Sequence, residues 1–291
     1  MHEVEVKGIL SARNGMNLYR GCSHGCIYCD SRSTCYQMNH VFEDIKVKRN
    51  CLEVLESELR RKRTKCMIST GAMSDPYLPL ERTLQYTRKS LELIRDLGFG
   101  ATVLTKSDLV LRDLDVIEAL HRSTRFVLQM TLTTYDEALC AILEPHVAST
   151  RRRFEVLQRF REIGIPTVVW LSPILPFIND TKENLEGILT YCNDAGVKGI
   201  ICFDMGVTLR SGDREYFYAA LDRHFPGLKE RYIQTYGNAY SLLSPNHPQL
   251  MAQLKSFCRE NNMLCRPDQV FAYLSEFEEK NRPVQLSFFT E

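Results

Sequence analysis

Residues 17–29 read Asn17-Leu18-Tyr19-Arg20-Gly21-Cys22-Ser23-His24-Gly25-Cys26-Ile27-Tyr28-Cys29. The spacing is C-x3-C-x2-C, with an aromatic residue just before the last cysteine. In a chain of this composition roughly 0.02 such matches arise by chance, so coincidence is a poor account. Iron–sulfur clusters of the [4Fe–4S] type usually take one thiolate per iron. Three thiolates leave one iron with an open position, as catalytic metal sites do. Gly21 and Gly25 let the backbone wrap closely where a Cβ would crowd the group. A structural zinc ion is the alternative, but it wants four ligands. No second C-x2-C pair follows, and His24 lies inside the loop.

Outward from this loop, short apolar runs alternate with helical patterns. Candidate strands are Met16 to Tyr19, Met67 to Thr70, Ala101 to Thr105, Phe126 to Thr131, Thr167 to Leu171 and Gly199 to Phe203. Between them the periodicity predicts helices over Cys51 to Arg61, Thr83 to Leu97, Leu114 to His121, Thr150 to Ile163 and Lys182 to Ala195. Gly98 and Gly196 stand just past two of these as stop signals. Strand-then-helix order argues for parallel strands joined by right-handed crossovers. The expected fold is α/β, a partial (β/α)6 TIM-like barrel over residues 1–210. A C-terminal helical extension is expected over 211–280 and an exposed tail over 281–291. Active sites in such barrels gather on loops beyond the strands' C-terminal ends.

The bulk numbers narrow the class. With 44% hydrophobic and 25% charged residues in 291, the chain reads as a globular domain with a full-sized core. Lys and Arg total 37 against 36 acids, so a nucleic-acid partner would need a local basic face. No apolar run approaches 18 residues, which argues against a membrane partner. The opening MHEVEVKGIL lacks the charged-then-apolar pattern of an export signal. Eleven scattered cysteines do not read as a disulfide framework and fit a reducing, cytoplasmic setting. Cys51, Cys66, Cys140, Cys192 and Cys202 sit among apolar neighbours, where small core residues are expected.

C-x3-C-x-aromatic-C after the first strand resembles the signature of the radical S-adenosylmethionine (radical SAM) superfamily. The resemblance implies Cys22, Cys26 and Cys29 as cluster ligands and S-adenosylmethionine on the open iron. Reductive cleavage there would yield a 5′-deoxyadenosyl radical that abstracts hydrogen from substrate. It also implies an electron donor such as flavodoxin or ferredoxin. Further stretches are similar to the spore photoproduct lyase-like branch, also described as DNA repair photolyase-like. They are Tyr19 to Cys22, Ser69 to Tyr77, Leu104 to Ser107, Thr131 to Thr134, Leu143 to Pro145, Pro173 to Pro176 and Asn179-Asp180. Carried over residue by residue, the likeness implies Ser74 and Lys106 as cofactor contacts, Thr131 as a further one, and Pro173 with Ile174 against the adenine. A lysine at a strand end suits a carboxylate, and a hydroxyl suits it or a ribose. The lyase carries a hydrogen-donating cysteine two residues before its Ser-Asp pair, where this chain has Ala72. Cys140, Cys202, Tyr77 or Tyr135 is then the expected relay, with Asp204 as a site carboxylate.

The tail carries Gln285-Leu286-Ser287-Phe288-Phe289, similar to the peptide by which bacterial repair and replication proteins dock on the DNA polymerase sliding clamp. An extended tail with apolar anchors suits such a pocket. Basic runs at Lys46 to Arg49, Arg60 to Lys65 and Arg151 to Arg153 offer phosphate contacts, though helix ends favour cations for their own reasons. Tyr232, Tyr236 and Tyr240 offer either a stacking surface for a base or core packing. The expectation is a radical SAM enzyme acting on a damaged or modified base in DNA. The alternatives are modification of RNA, peptide or a metabolite, and a non-catalytic iron–sulfur or zinc protein.

Overall fold

A computed structural model describes residues 1–280. Six strands form one parallel sheet: β1 (Gly15–Met16), β2 (Met67–Thr70), β3 (Gly100–Thr105), β4 (Phe126–Thr131), β5 (Thr167–Trp170) and β6 (Gly199–Ile201). They pair in chain order, with Thr70 opposite Val103, Thr105 opposite Met130 and Thr131 opposite Trp170. The helices α1 (Cys51–Arg61), α2 (Tyr86–Asp96), α3 (Leu114–Ser123), α4 (Thr150–Glu162) and α5 (Lys182–Asp194) connect successive strands. This is the partial TIM-like barrel expected of the pattern. Every residue of β4 is buried, as befits a central parallel strand covered on both faces. Helix α1 buries Cys51, Leu55 and Leu59, one stripe at i, i+4 and i+8.

The departures have local causes. The run Met16 to Tyr19 divides between two sheets. Met16 pairs with Thr70, whereas Tyr19–Arg20 pairs antiparallel with Lys46–Lys48, itself parallel to His2–Val4. The helix expected from Thr83 breaks at Gln85, whose φ is 53°. There the buried Glu81 carboxylate accepts from the Thr87 amide at 3.0 Å and from the Tyr19 hydroxyl, and the chain turns about it. Helix Glu137–Leu143 was not expected, being short and weakly periodic, whereas Leu228–Tyr236 falls within the helical extension expected over 211–280.

Beyond β6 the chain packs back onto the barrel. Gly206–Thr208 pairs antiparallel with Ser241–Leu243, and Leu264 bridges to Gly199 at the sheet edge. Val270 and Leu274 share a core with Val127, Val168 and Ile201. Tyr232 is fully buried against Phe217, and its hydroxyl donates to the Pro176 carbonyl at 2.6 Å. Tyr232 and Tyr236 are therefore packing residues rather than a stacking surface, while Tyr240 is exposed beside Arg210. The basic runs are mostly engaged: Lys48 with Asn17, Arg60 with Glu56, Lys65 with Leu97, Arg152 with Asp108. No helix among the described residues is long and apolar enough to cross a membrane. Gln285 to Phe289 lie outside the described residues.

Candidate active site

The cysteine loop closes over the C-terminal end of the sheet because its backbone is held at both ends. The Cys22 amide donates to the Phe42 carbonyl at 3.1 Å, and the Ile27 amide donates to Leu143 at 3.0 Å. Gly21 has φ of 90°, and a Cβ there would overlap the Phe42 carbonyl oxygen. All three thiols are free of disulfides and line a cavity of about 440 Å³. Burial pushes the Cys22 thiol up to about 12 and raises Cys26 as well. Bare, Cys22 and Cys26 favour the thiol form; a bound cation reverses that preference. Among the described residues only His2, His40 and Asp44 bring three such ligand atoms within 4.8 Å of one another. Three thiols with no fourth protein ligand of a tetrahedral set do not suit a structural zinc ion. The donor set fits a cluster with several irons. His24 does not join it: it is buried, with Nδ1 3.4 Å from Asp75.

The β2 and β3 loops build the adjoining wall. Gly71, with φ of 105°, runs against the Leu104 carbonyl where a Cβ would not fit, so the two loops touch. Ser74 Oγ donates to the Gly21 carbonyl at 2.6 Å, tying the β2 loop to the cysteine loop. Asp75 accepts from the Tyr77 amide and the Lys106 amide at 2.8 Å each, and from Thr105 Oγ1 at 2.7 Å. Lys106 Nζ then lies 3.7 Å from Cys26 Sγ and 3.5 Å from Glu144 Oε1. Burial disfavours its charge, but Cys26, Tyr28 and Glu144 outweigh that and raise its pKa.

Behind Lys106 lies a charge pair with no solvent exposure. Arg153 Nη2 donates to Glu144 Oε2, and Arg153 Nη1 donates to the Thr131 carbonyl at 2.8 Å. Tyr28 donates to the other oxygen of Glu144. Burial opposes the Glu144 charge, yet Arg153 and Lys106 hold the carboxyl down at about 2. A buried pair of this kind costs desolvation and is poor evidence for stability alone. It packs directly behind Lys106 and Tyr28.

Residues ending or following the last two strands of the barrel also line the cavity. Trp170, Pro173, Phe203, Val207 and Leu243 line it, with Asp204 among them. Trp170 is aimed by its indole, which donates to Gln129 Oε1 at 2.6 Å; Gln129 in turn donates to Thr102 Oγ1 at 2.8 Å. Phe203 is 52% exposed and stacks on Phe271 at 6.2 Å between centroids.

The description of the radical SAM superfamily matches residues 16–192, more than half of the chain. This protein belongs to the radical SAM superfamily. An uncharacterized protein of Mycobacterium tuberculosis is 28% identical over 264 residues, covering 87% of this chain and 75% of its own. An uncharacterized protein of Methanocaldococcus jannaschii is 31% identical over 176 residues, 60% and 65% of the two chains. Among solved structures, spore photoproduct lyase with dinucleoside spore photoproduct aligns at TM-score 0.63 and 13% identity, covering 89% and 78%. The methyltransferase TsrM of Kitasatospora setae, with tryptophan and a SAM analogue, aligns at 0.57 and 12%, covering 84% and 52%. These likenesses establish the shared fold.

The cofactors of this radical SAM protein are a [4Fe–4S] cluster and S-adenosylmethionine. Of the residues expected to meet them, Ser74, Lys106, Thr131 and Pro173 line the cavity with the three cysteines. Ile174 does not; it is buried in the main core. The expected hydrogen relays lie elsewhere as well. Cys140 sits behind the wall, taking hydrogen bonds from Arg153 at 3.0 Å and Thr150 at 3.3 Å. Cys202 is buried beside Met205, Tyr77 is buried in the main core, and Tyr135 rests on Tyr191 at the surface. Ala72 does line the cavity. Among the described lining residues the thiols are those of the cluster loop. Trp170, Phe203 and the Glu144–Arg153 pair were missed as site elements. Arg153 carried a signal, since it shares the i, i+3, i+4, i+7 stripe of Val156, Leu157 and Phe160.

Proposed function

We propose that this protein is a radical SAM enzyme acting on a damaged or modified base in DNA. The observation that carries the reading is one cavity with two unlike kinds of lining. Three thiols and Lys106 line it together with the aromatic rings of Trp170 and Phe203. When bound, the cluster and S-adenosylmethionine supply a hydrogen-abstracting carbon radical by one-electron cleavage of the sulfonium. The chain's own residues do the rest. Lys106 pairs with the carboxylate of the cofactor, and Ser74 and Thr131 offer hydroxyls to its polar edge. Glu144 and Arg153 keep Lys106 aimed. Trp170 and Phe203 stack a planar substrate and help exclude water. Support for DNA comes from the shared fold with spore photoproduct lyase, whose structure holds dinucleoside spore photoproduct. The tail motif Gln285 to Phe289 adds a sliding-clamp partner to this reading, and an electron donor completes it.

Ala72 separates this chain from a strict lyase, because a methyl group cannot return hydrogen as a thiol does. The substrate is therefore sought broadly. Irradiated, alkylated and undamaged oligonucleotides are incubated anaerobically with reconstituted enzyme, S-adenosylmethionine and reductant. Stimulation of 5′-deoxyadenosine release by one damaged oligonucleotide, with loss of the lesion, is the expected result. Turnover on RNA or peptide substrates with no response to any DNA would overturn the reading.

A further inference from the structure

We propose that His2, His40 and Asp44 form a second metal site, for a zinc-class divalent cation, that clasps the loop following the cluster motif. One ligand atom from each residue lies within 4.8 Å of the other two. Two imidazoles and a carboxylate are a donor set suited to zinc, copper or nickel rather than calcium or magnesium. His40 is already set up as a ligand. Its Nδ1 faces the Val41 carbonyl at 2.9 Å, which fixes the proton there and leaves the lone pair on Nε2. That Nε2 is buried and has no hydrogen-bond partner among the described residues. A carbonyl on one ring nitrogen and a metal on the other is the usual outer support for a metal-bound histidine.

The other two ligands meet the same point. His2 Nδ1 and Asp44 Oδ2 are 2.9 Å apart, so a cation would take the place of the proton they share. Asp44 Oδ1 also takes the Met1 amino group at 2.5 Å. The rings of His2 and His40 stand edge to face at 5.0 Å. His2 and Asp44 are 39% and 40% exposed, so their side chains have room to close to ligand distances of about 2.0–2.2 Å. The backbone beneath them is fixed, since the His2 amide donates to the Ile45 carbonyl at 3.0 Å and strand His2–Val4 pairs with Lys46–Lys48.

The site has a consequence for the cluster. Phe42 lies between His40 and Asp44, and its carbonyl holds the Cys22 amide at 3.1 Å. The same carbonyl abuts Gly21. A cation bound to His2, His40 and Asp44 would stiffen this loop and the backbone of the first cluster ligand.

The test uses the full chain with its cluster assembled, stripped of loose metal with a weak chelator and titrated with zinc against a chromophoric competitor. One tightly held zinc per chain is expected, beside an unchanged iron content. His40→Gln and Asp44→Asn, at polar, partly exposed positions, should each weaken zinc at least tenfold while keeping the iron. Cys35→Ser, removing the nearest exposed thiol of this segment, should leave affinity unchanged. Amide exchange over residues 38–45 should slow on zinc addition in the wild type and not in His40→Gln. Equal zinc affinity in the wild type and His40→Gln, meaning an adventitious ion only, would sink the site. So would a wild type that holds no zinc.

Discussion

The two sides of the cavity are built differently. Around the cluster loop the charged groups Asp75, Lys106 and Glu144 are each held by several partners. Asp75 takes three hydrogen bonds, Glu144 is gripped by Tyr28, Lys106 and Arg153, and Ser74 ties two loops together. On the far side, Phe203 and Leu243 are exposed, and one chain of hydrogen bonds through Gln129 aims Trp170. Under the proposed function, the cofactor meets the heavily bonded wall and the substrate meets rings with open faces. Activation chemistry and substrate choice are thus physically separable here, and mutations should separate them.

The largest effect should come from Cys26→Ala. Losing one of three thiolates should remove the cluster, so iron content and S-adenosylmethionine cleavage fall at least a hundredfold while the circular dichroism spectrum stays unchanged. Arg153→Met follows. Removing Arg153 strips Glu144 of its directly bonded counter-charge and leaves only Lys106 at 3.5 Å; breaking a buried pair typically costs about 3–5 kcal/mol, read by denaturant melting. If it costs under about 1 kcal/mol, the wall is not as tightly coupled as its geometry says. The acid limb adds a check. Against the pull of burial, Arg153 and Lys106 hold the Glu144 carboxyl at about 2 in the fold, below its ordinary value of 4.5. A lowered carboxyl contributes stability that is present above its unfolded pKa and lost as pH falls through the folded one. Between roughly pH 4.5 and 2 the wild type should therefore lose stability more steeply than Glu144→Gln.

Lys106→Met keeps the packing of the stem and deletes the charge. Affinity for S-adenosylmethionine should fall about ten- to a hundredfold, measured by equilibrium binding to the loaded enzyme, since a charge-assisted contact is worth about 1.5–3 kcal/mol. Unchanged affinity would place Lys106 with the cluster thiolate alone.

Much of the barrel was legible because parallel strands buried on both faces read as apolar runs and helices carry stripes. The cluster loop was legible because its chemistry needs fixed residue types at fixed spacing. The second charge of the wall was hidden for a physical reason. Arg153 ends a run of three arginines, two facing solvent and one facing the core, and residue type alone does not say which. The aromatic side was hidden because Trp170 and Phe203 close two apolar strands, where they look like core. Cys140 and Cys202 carried two readings, core thiol and hydrogen relay; both are buried, with thiols engaged in packing and hydrogen bonds, as the core reading expected. Small strands such as Gly206–Thr208 left too short a pattern to read.

The smallest expected effect is also the one that tests the contrast most directly. Phe203→Ala removes a half-exposed ring that bonds to nothing on the cluster side, so stability should change little. Stacking of a base on an aromatic ring is worth about 1–3 kcal/mol, and half exposure puts Phe203 at the lower end. The KM for a planar substrate should then rise about tenfold, with cofactor cleavage in its absence unchanged. Trp170→Phe should act in the same direction and somewhat more, because it also frees Gln129 Oε1 from its donor. Should Phe203→Ala slow substrate-free cleavage of S-adenosylmethionine, the two sides are one coupled unit, and the separation inferred from their bonding fails.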